Sequence, residues 1–307
     1  MHSSGQHPSL RLVAVLACLL VPLAAYSTVC AQEARQARPA PAKEVELTIE
    51  GAEHMIDVGG RSLDARVYGK GSPTVVLISG LNAPQSYWNT VVPALAEEAT
   101  VVTYDRPGMG KSEVGSLPLH GEQSAKDLHV LLERLELPKP YIIVGHSYGG
   151  TVARLFVSMY PKDIGGLILE DSQHESILEE QRKLLKGADL ETLNNMVARM
   201  SNTAAPKTEL DYNAVTREQE RKSAPLPKIP YVVITSADRS KAVPPVFSEE
   251  ARPQLIALGM ELQKKLVDLV PGGKHIVAQG VGHNIHVDKP EVLLEPLREM
   301  IDAAKAK

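Results

Sequence analysis

The residues of this chain best suited to chemistry are Gly145-His146-Ser147-Tyr148-Gly149. A serine hydroxyl is a poor nucleophile until a base takes its proton, and acyl transfer also needs donors for the charge that develops on the attacked carbonyl. The flanking residues speak to that second need. Tyr141 to Gly145 is an apolar β-type run, while Val152, Leu155, Phe156 and Met159 recur at helical spacing, so a strand becomes a helix across one serine. Glycines two residues to either side leave room for so tight a turn and let Ser147 be held strained with its hydroxyl exposed. The helix aims unpaired N–H groups and the positive end of its dipole at the same place. A GxSxG string alone also describes a glycine-rich loop with a solvated serine. The strand before it and the amphipathic helix after it are the context that favours chemistry.

Holding such a serine takes a sheet, and the chain supplies the runs for one. Val45 to Ile49, Met55 to Val58 and Ser62 to Tyr68 alternate apolar and polar residues, with Gly59-Gly60 between the last two, which predicts an antiparallel hairpin at the start of a sheet. Thr74 to Ser79, Ala99 to Tyr104, Tyr141 to Gly145, Leu167 to Leu169 and Tyr231 to Thr235 are near-continuous apolar runs, as strands buried on both faces are. Helix-like segments near Trp88 to Glu98 and Gln123 to Leu137 alternate with them, predicting an α/β fold with a mostly parallel central sheet and helices on both faces. Ligands bind such sheets beyond the carboxyl ends of the strands. The loops at those ends hold Ser79-Gly80-Leu81, Asp105 to Ser112, Ser147, Glu170 to His174, and Ser236-Ala237-Asp238. An amphipathic helix around Gln254 to Leu269, a short strand from His275 to Ala278, the loop Gly280 to Pro290 and a helix from about Glu291 to Ala304 complete the pattern.

Between Gln173 and Lys228 the chain is highly charged, helical in spacing and free of buried-strand signatures. It is expected to form a helical lid, 173–228, inserted into a core made of 44–172 and 229–307, because insertions of this length tend to be functional. Residues 1–31 read as a secretory signal, with Arg11, an apolar run from Leu12 to Ala25, and Val29-Cys30-Ala31 as the cleavage site. Pro22 and the shortness of that run argue against a membrane span. The expectation is a secreted or periplasmic protein with no stable span after cleavage; a lipoprotein anchored through Val15-Leu16-Ala17-Cys18 is the alternative. Residues 32–43, rich in Ala, Arg and Pro, read as a disordered linker. Cys18 and Cys30, the only two cysteines, would leave with the signal, so the mature chain would have no disulfide or thiol chemistry. With 307 residues, 43% of them hydrophobic, the chain can bury a large core. A net charge of −4 with scattered basic residues lacks the footprint of a nucleic-acid binder and points to small molecules as partners.

From about Val45 to Ala304 the chain resembles lidded members of the α/β-hydrolase superfamily. The resemblance rests on GHSYGG around Ser147, YDRPGMGKS ahead of it, Ser79-Gly80 where many members have His-Gly, and GVGHNIHVDKPE near the end. It implies Ser147 as nucleophile, His283 as general base, the backbone amides of Leu81 and Tyr148 as oxyanion hole, and no metal or cofactor. His286 is then expected to pack or hydrogen-bond under the loop, and His146 to point elsewhere. The family order of nucleophile, acid and histidine leaves two acids open. Asp238 follows the strand after which the family usually carries its acid; Asp171 ends the preceding strand, a site some relatives use. Asp105 is expected to start a structural turn and Asp288 to be solvated.

Serine at the nucleophile position argues against the dehalogenases and epoxide hydrolases of this fold, which use aspartate there. What the resemblance implies instead is hydrolysis of an ester, thioester or lactone in a small-molecule acyl substrate, with a histidine that must be neutral to act, so that activity falls on acidification. An aminopeptidase-like amidase, with Glu170 or Glu175 holding a substrate amine, and a non-catalytic ligand-binding homologue are the other readings.

Overall fold

The apolar runs become the centre of one sheet. In the computed structural model, which describes residues 50–201, 208–240 and 243–306, the strands are β1 (Ala52–Asp57), β2 (Ser62–Tyr68), β3 (Thr74–Ile78), β4 (Thr100–Tyr104), β5 (Tyr141–His146), β6 (Ile164–Glu170), β7 (Tyr231–Ser236) and β8 (Lys274–Ala278). Their spatial order is β1-β2-β4-β3-β5-β6-β7-β8. The β1–β2 and β2–β4 pairs are antiparallel and the rest are parallel. The stretch Val45 to Ile49 lies outside the described residues, as do the expected signal, the linker and both cysteines.

The described helices are α1 (Val92–Ala96), α2 (Gly121–Arg134), α3 (Tyr148–Met159), α4 (Ile177–Leu184), α5 (Gly187–Ser201), α6 (Asn213–Lys222), α7 (Ala251–Val267), α8 (Ile285–Asp288) and α9 (Glu291–Lys305), with a 3₁₀ turn at Gln85–Thr90. Alternate side chains of the central strands serve opposite layers. Val76, Ile78, Ile143, Leu167 and Leu169 pack with α2 and α3. Val75, Leu77, Ile142, Val144 and Ile168 pack instead with Trp88, Leu95 and the apolar face of α9. The sheet is therefore covered on both faces, which is why its central strands carry almost no polar residue.

Two boundaries differ from the sequence expectation for local reasons. The helix expected from Trp88 to Glu98 is a 3₁₀ turn followed by α1, because Pro93 lies in the first helical turn, where its missing N–H costs nothing. Strand β6 starts at Ile164 rather than Leu167. Gly165 and Gly166 blur its apolar signature, yet Ile164 pairs opposite Tyr141 and Gly166 opposite Ile142.

The segment between β6 and β7 contributes α4, α5 and α6. Its second half is fastened to the core by polar contacts: Gly121 N–H donates to Thr216 Oγ1 at 2.9 Å and Glu122 N–H to Gln219 Oε1 at 3.1 Å. These cap amides of the first turn of α2 that have no partner within the helix. Arg154 of α3 meets Glu220 of that half at 3.0 Å and also Glu175, at the very start of the segment, at 2.8 Å. The first half makes a separate apolar cluster, in which Leu185 and Leu193 pack with Phe247, Ala251 and Leu255. No helix among the described residues is long and apolar enough to cross a membrane.

Candidate active site

Ser147 is the single residue between the end of β5 and the start of α3, at φ +52° and ψ −119°. A side-chain-bearing residue holds such a backbone only when its surroundings over-determine it. Here they do. A Cβ on Gly145 would lie 2.6 Å from Gly149 O, and one on Gly149 would lie 2.2 Å from Ile78 O and 2.5 Å from Ser79 O. The two glycines thus allow β5, α3 and the end of β3 to close around the serine. Ser147 N–H donates to Glu170 O at 3.0 Å, tying the turn to β6. Ser147 Oγ makes no hydrogen bond among the described residues.

His283, in the exposed loop between β8 and α8, turns Nδ1 to Asp171 Oδ2 at 2.6 Å. Facing a carboxylate, that nitrogen carries the proton and leaves the Nε2 lone pair as the basic site. Asp171 directly follows β6 at φ +41°, and its N–H donates to Ile234 O at 2.7 Å. Its other oxygen accepts from Arg239 Nη1 at 2.6 Å and from Ser236 N–H at 3.3 Å. Burial pushes this carboxyl up, but the His283 hydrogen bond and the Arg239 charge outweigh it and hold the group below the usual carboxylate range. Asp238 is exposed, and its Oδ1 accepts from Ser240 N–H at 3.1 Å and Ser240 Oγ at 2.5 Å. Of the two acids left open by the sequence, Asp171 is the one brought to His283.

Leu81 follows Gly80 in a turn closed by Ala83 N–H donating to Gly80 O at 3.2 Å. A Cβ on Gly80 would stand 3.3 Å from Ser147 Cβ, so the chain bearing Leu81 passes directly beside the serine. Tyr148 opens α3, and its amide belongs to the first turn, where N–H groups have no acceptor within the helix.

Beneath these residues lies a buried polar group. His286 donates both its backbone N–H and Nδ1–H to Glu170 Oε1, each at 2.8 Å, and its ring packs on Trp88 with centroids 4.3 Å apart. His146 Nε2–H donates to the backbone carbonyl of His283 at 3.0 Å, and burial pushes its imidazole down to about 3, so it stays neutral. Burial pushes the Glu170 carboxyl up, but His286 overcomes that and holds it low. One potential ligand atom from each of His146, Glu170 and His286 lies within 4.8 Å of the other two. Imidazole and carboxylate are ligand types for a divalent metal; Glu170 Oε1 is taken by His286, while Glu170 Oε2, His146 Nδ1 and His286 Nε2 are buried without a hydrogen-bond partner among the described residues. Of the two glutamates expected for an amidase, Glu170 keeps Oε2 unpartnered but is completely buried, and Glu175 is held by Arg154.

Sequence reasoning passed over three residues here. Arg239 follows Asp238 directly in a strand-end loop, and only the fold turns it onto Asp171. Arg106, from the loop after β4, is buried and donates to Ser79 O at 2.5 Å, to Gly80 O at 2.7 Å and through two nitrogens to Glu209, both at 2.8 Å. Burial lowers its affinity for a proton, but the Glu209 carboxylate more than restores it. Glu209 belongs to the inserted segment and follows Thr208 in a Thr-x-x-Asp capping box, the one local signal of it in the sequence.

A serine on a strained turn after β5, and a histidine-bound aspartate after the neighbouring β6, in a sheet of this order, match the architecture of the α/β-hydrolase fold. The chain belongs to the alpha/beta hydrolase fold family, whose model matches residues 73–229. It is similar to the Bacillus subtilis (strain 168) protein YqjL, 24% identical over 231 residues that cover 73% of this chain and 82% of that one. A more local match joins it to the human monoacylglycerol lipase ABHD6, 33% identical over 101 residues, 32% of this chain and 29% of the lipase. Among solved structures, a thermophilic esterase from Thermogutta terrifontis superposes with a TM-score of 0.56 at 20% identity, covering 83% of this chain and 99% of that one, and shares its fold.

Proposed function

We propose that this protein is an exported serine hydrolase that cleaves an ester-type bond, whether carboxylic ester, thioester or lactone, through an acyl-enzyme on Ser147. The observation that carries the reading is the 2.6 Å contact between His283 Nδ1 and Asp171 Oδ2, at the end of the strand neighbouring the one that leads into a serine held at φ +52°. In this mechanism Ser147 Oγ attacks the carbonyl and its proton passes to His283 Nε2. Asp171, kept ionised by Arg239, holds the imidazole tautomer and stabilises the imidazolium. The oxyanion of the tetrahedral intermediate takes hydrogen bonds from the Leu81 and Tyr148 amides, each worth about 3 kcal/mol of barrier. Collapse expels the alcohol or thiol with the proton from His283. Water, deprotonated by the same nitrogen, then releases the acid and frees Ser147. The inserted segment forms the lid over this site, and small-molecule acyl compounds are the substrates. The local sequence match to a monoacylglycerol lipase supports this choice of bond.

A p-nitrophenyl ester series from acetate to palmitate tests the reading. The wild type should turn over at least part of the series, and Ser147→Ala, folded to the same melting temperature, should lose turnover entirely. A folded wild type inert on every ester would overturn it. Export is tested by N-terminal sequencing of the secreted chain, which should begin at Gln32.

A further inference from the structure

The four hydrogen bonds of Arg106 form a continuous link from the inserted segment to the chain beside Ser147. The Arg106 side chain is 1% exposed and that of Glu209 4% exposed, so the pair is shielded from water and from screening by salt. The fork spends Nε and one Nη2 proton on Glu209, then uses the rest of its fixed geometry on two successive carbonyls, Ser79 and Gly80. The second of those carbonyls matters most. Gly80 C=O and Leu81 N–H belong to one planar trans peptide unit, so they point in opposite directions, and fixing the oxygen fixes the amide. Gly80 O is held twice, by Arg106 at 2.7 Å and by Ala83 N–H at 3.2 Å.

We propose that Glu209 is a positioning residue for the reaction, acting through Arg106 to lock the Gly80–Leu81 peptide so that the Leu81 amide faces the developing oxyanion. The inference rests on the serine hydrolase reading given above. Glu209 is itself presented rigidly. Thr208 N–H donates to Asp211 Oδ2 at 2.8 Å in the capping box of the turn Glu209–Tyr212, and α6 continues from that turn with Thr216 and Glu220 bound to the core. The half of the insertion that carries Glu209 is therefore part of the catalytic support. Lifting it to admit substrate would release the oxyanion donor, so admission requires movement elsewhere.

The test uses the full chain with Glu209→Ala, Glu209→Gln and Arg106→Lys. It measures kcat and KM on a p-nitrophenyl ester, affinity for an aryl trifluoromethyl ketone, and the melting temperature of each variant. The ketone forms a hemiketal oxyanion on Ser147 and so reads the donor directly. Glu209→Ala should lower kcat about 10- to 100-fold with KM changed less than about threefold, and ketone affinity should fall in step. Arg106→Lys should behave alike, because a single ammonium cannot serve both carbonyls and the carboxylate. Glu209→Gln keeps the size and one acceptor oxygen, so it should stay folded and lose less. Folded Glu209 variants with wild-type kcat, or a kcat loss with ketone affinity unchanged, would overturn the proposal while leaving the hydrolase reading intact. A wild type inert to both ester and ketone would instead overturn both.

Discussion

At the scale of single residues, the site depends on Asp171 more than on its neighbour in chemistry, Asp238. Asp171 is buried at the end of β6, with one oxygen on His283 and the other on Arg239. Asp238 is exposed and turned to Ser240. Asp171→Asn keeps the shape of the side chain but offers an amide where the imidazole needs an acceptor for its Nδ1 proton. It should lower kcat about 10³- to 10⁴-fold. Asp238→Asn should stay within about threefold of the wild type, because surface changes of this kind perturb little. Steady-state kinetics of the two variants side by side, with melting curves to show both folded, checks the pair. The reverse ranking would return the acid to the loop after β7.

At the scale of elements, the inserted segment is joined to α3 by charges that water does not screen. Glu220 of α6 faces Arg154, with Glu175, Arg217 and Thr151 around it. Burial raises its carboxyl to about 7, partly opposed by Arg154. A carboxyl whose folded value lies above its unfolded one binds protons more tightly when folded. Its contribution to stability is then greatest below the unfolded value and is lost as pH rises through about 7. The full shift corresponds to about 3 kcal/mol. Glu220→Gln removes the titration and keeps the volume. The melting temperature of the variant, measured against the wild type, should therefore climb between pH 5 and pH 8. A constant difference across that range would show that Glu220 titrates normally and that the junction is wetter than its burial implies.

At the scale of the molecule, stability is graded across the sheet. Val75, Val76, Ile142, Ile143, Val144, Leu167 and Ile168 are fully buried, whereas β1 is a half-exposed antiparallel edge with Met55 52% exposed. Amide exchange follows the free energy of local opening, which falls with exposure and with fewer apolar contacts. Hydrogen exchange should be slowest in β3, β5 and β6 and fastest in β1. The amides of α6 should exchange nearly as slowly as those of α2, since the two are hydrogen-bonded to each other. Fast exchange across all of α6 would mean that the second half of the insertion opens independently of the core.

The sheet was legible because burial on both faces leaves a local mark: a strand such as β3 carries an unbroken apolar run, Val75 to Ile78, whatever lies around it. The elbow was legible for the same reason, since a strand, a serine with glycines two residues away and an amphipathic helix are all near in sequence. Strand ends were blurred where glycine replaced a hydrophobe, as at Gly165 and Gly166. What spacing could not supply was the pairing of groups that meet only in space. His283 and Asp171 are 112 residues apart, and Arg106 and Glu209 are 103 apart. Two aspartates, Asp171 and Asp238, stood in the loops at the carboxyl ends of adjacent strands, and both could serve as the acid. Only the path of the loop after β8, together with the turn that sends Arg239 back toward Asp171, decided which carboxylate the imidazole meets. Local composition determines which strands and turns form, because backbone geometry and burial act residue by residue. Charge pairs are decided by the tertiary structure, because an ion finds its partner across whatever distance the packed elements leave.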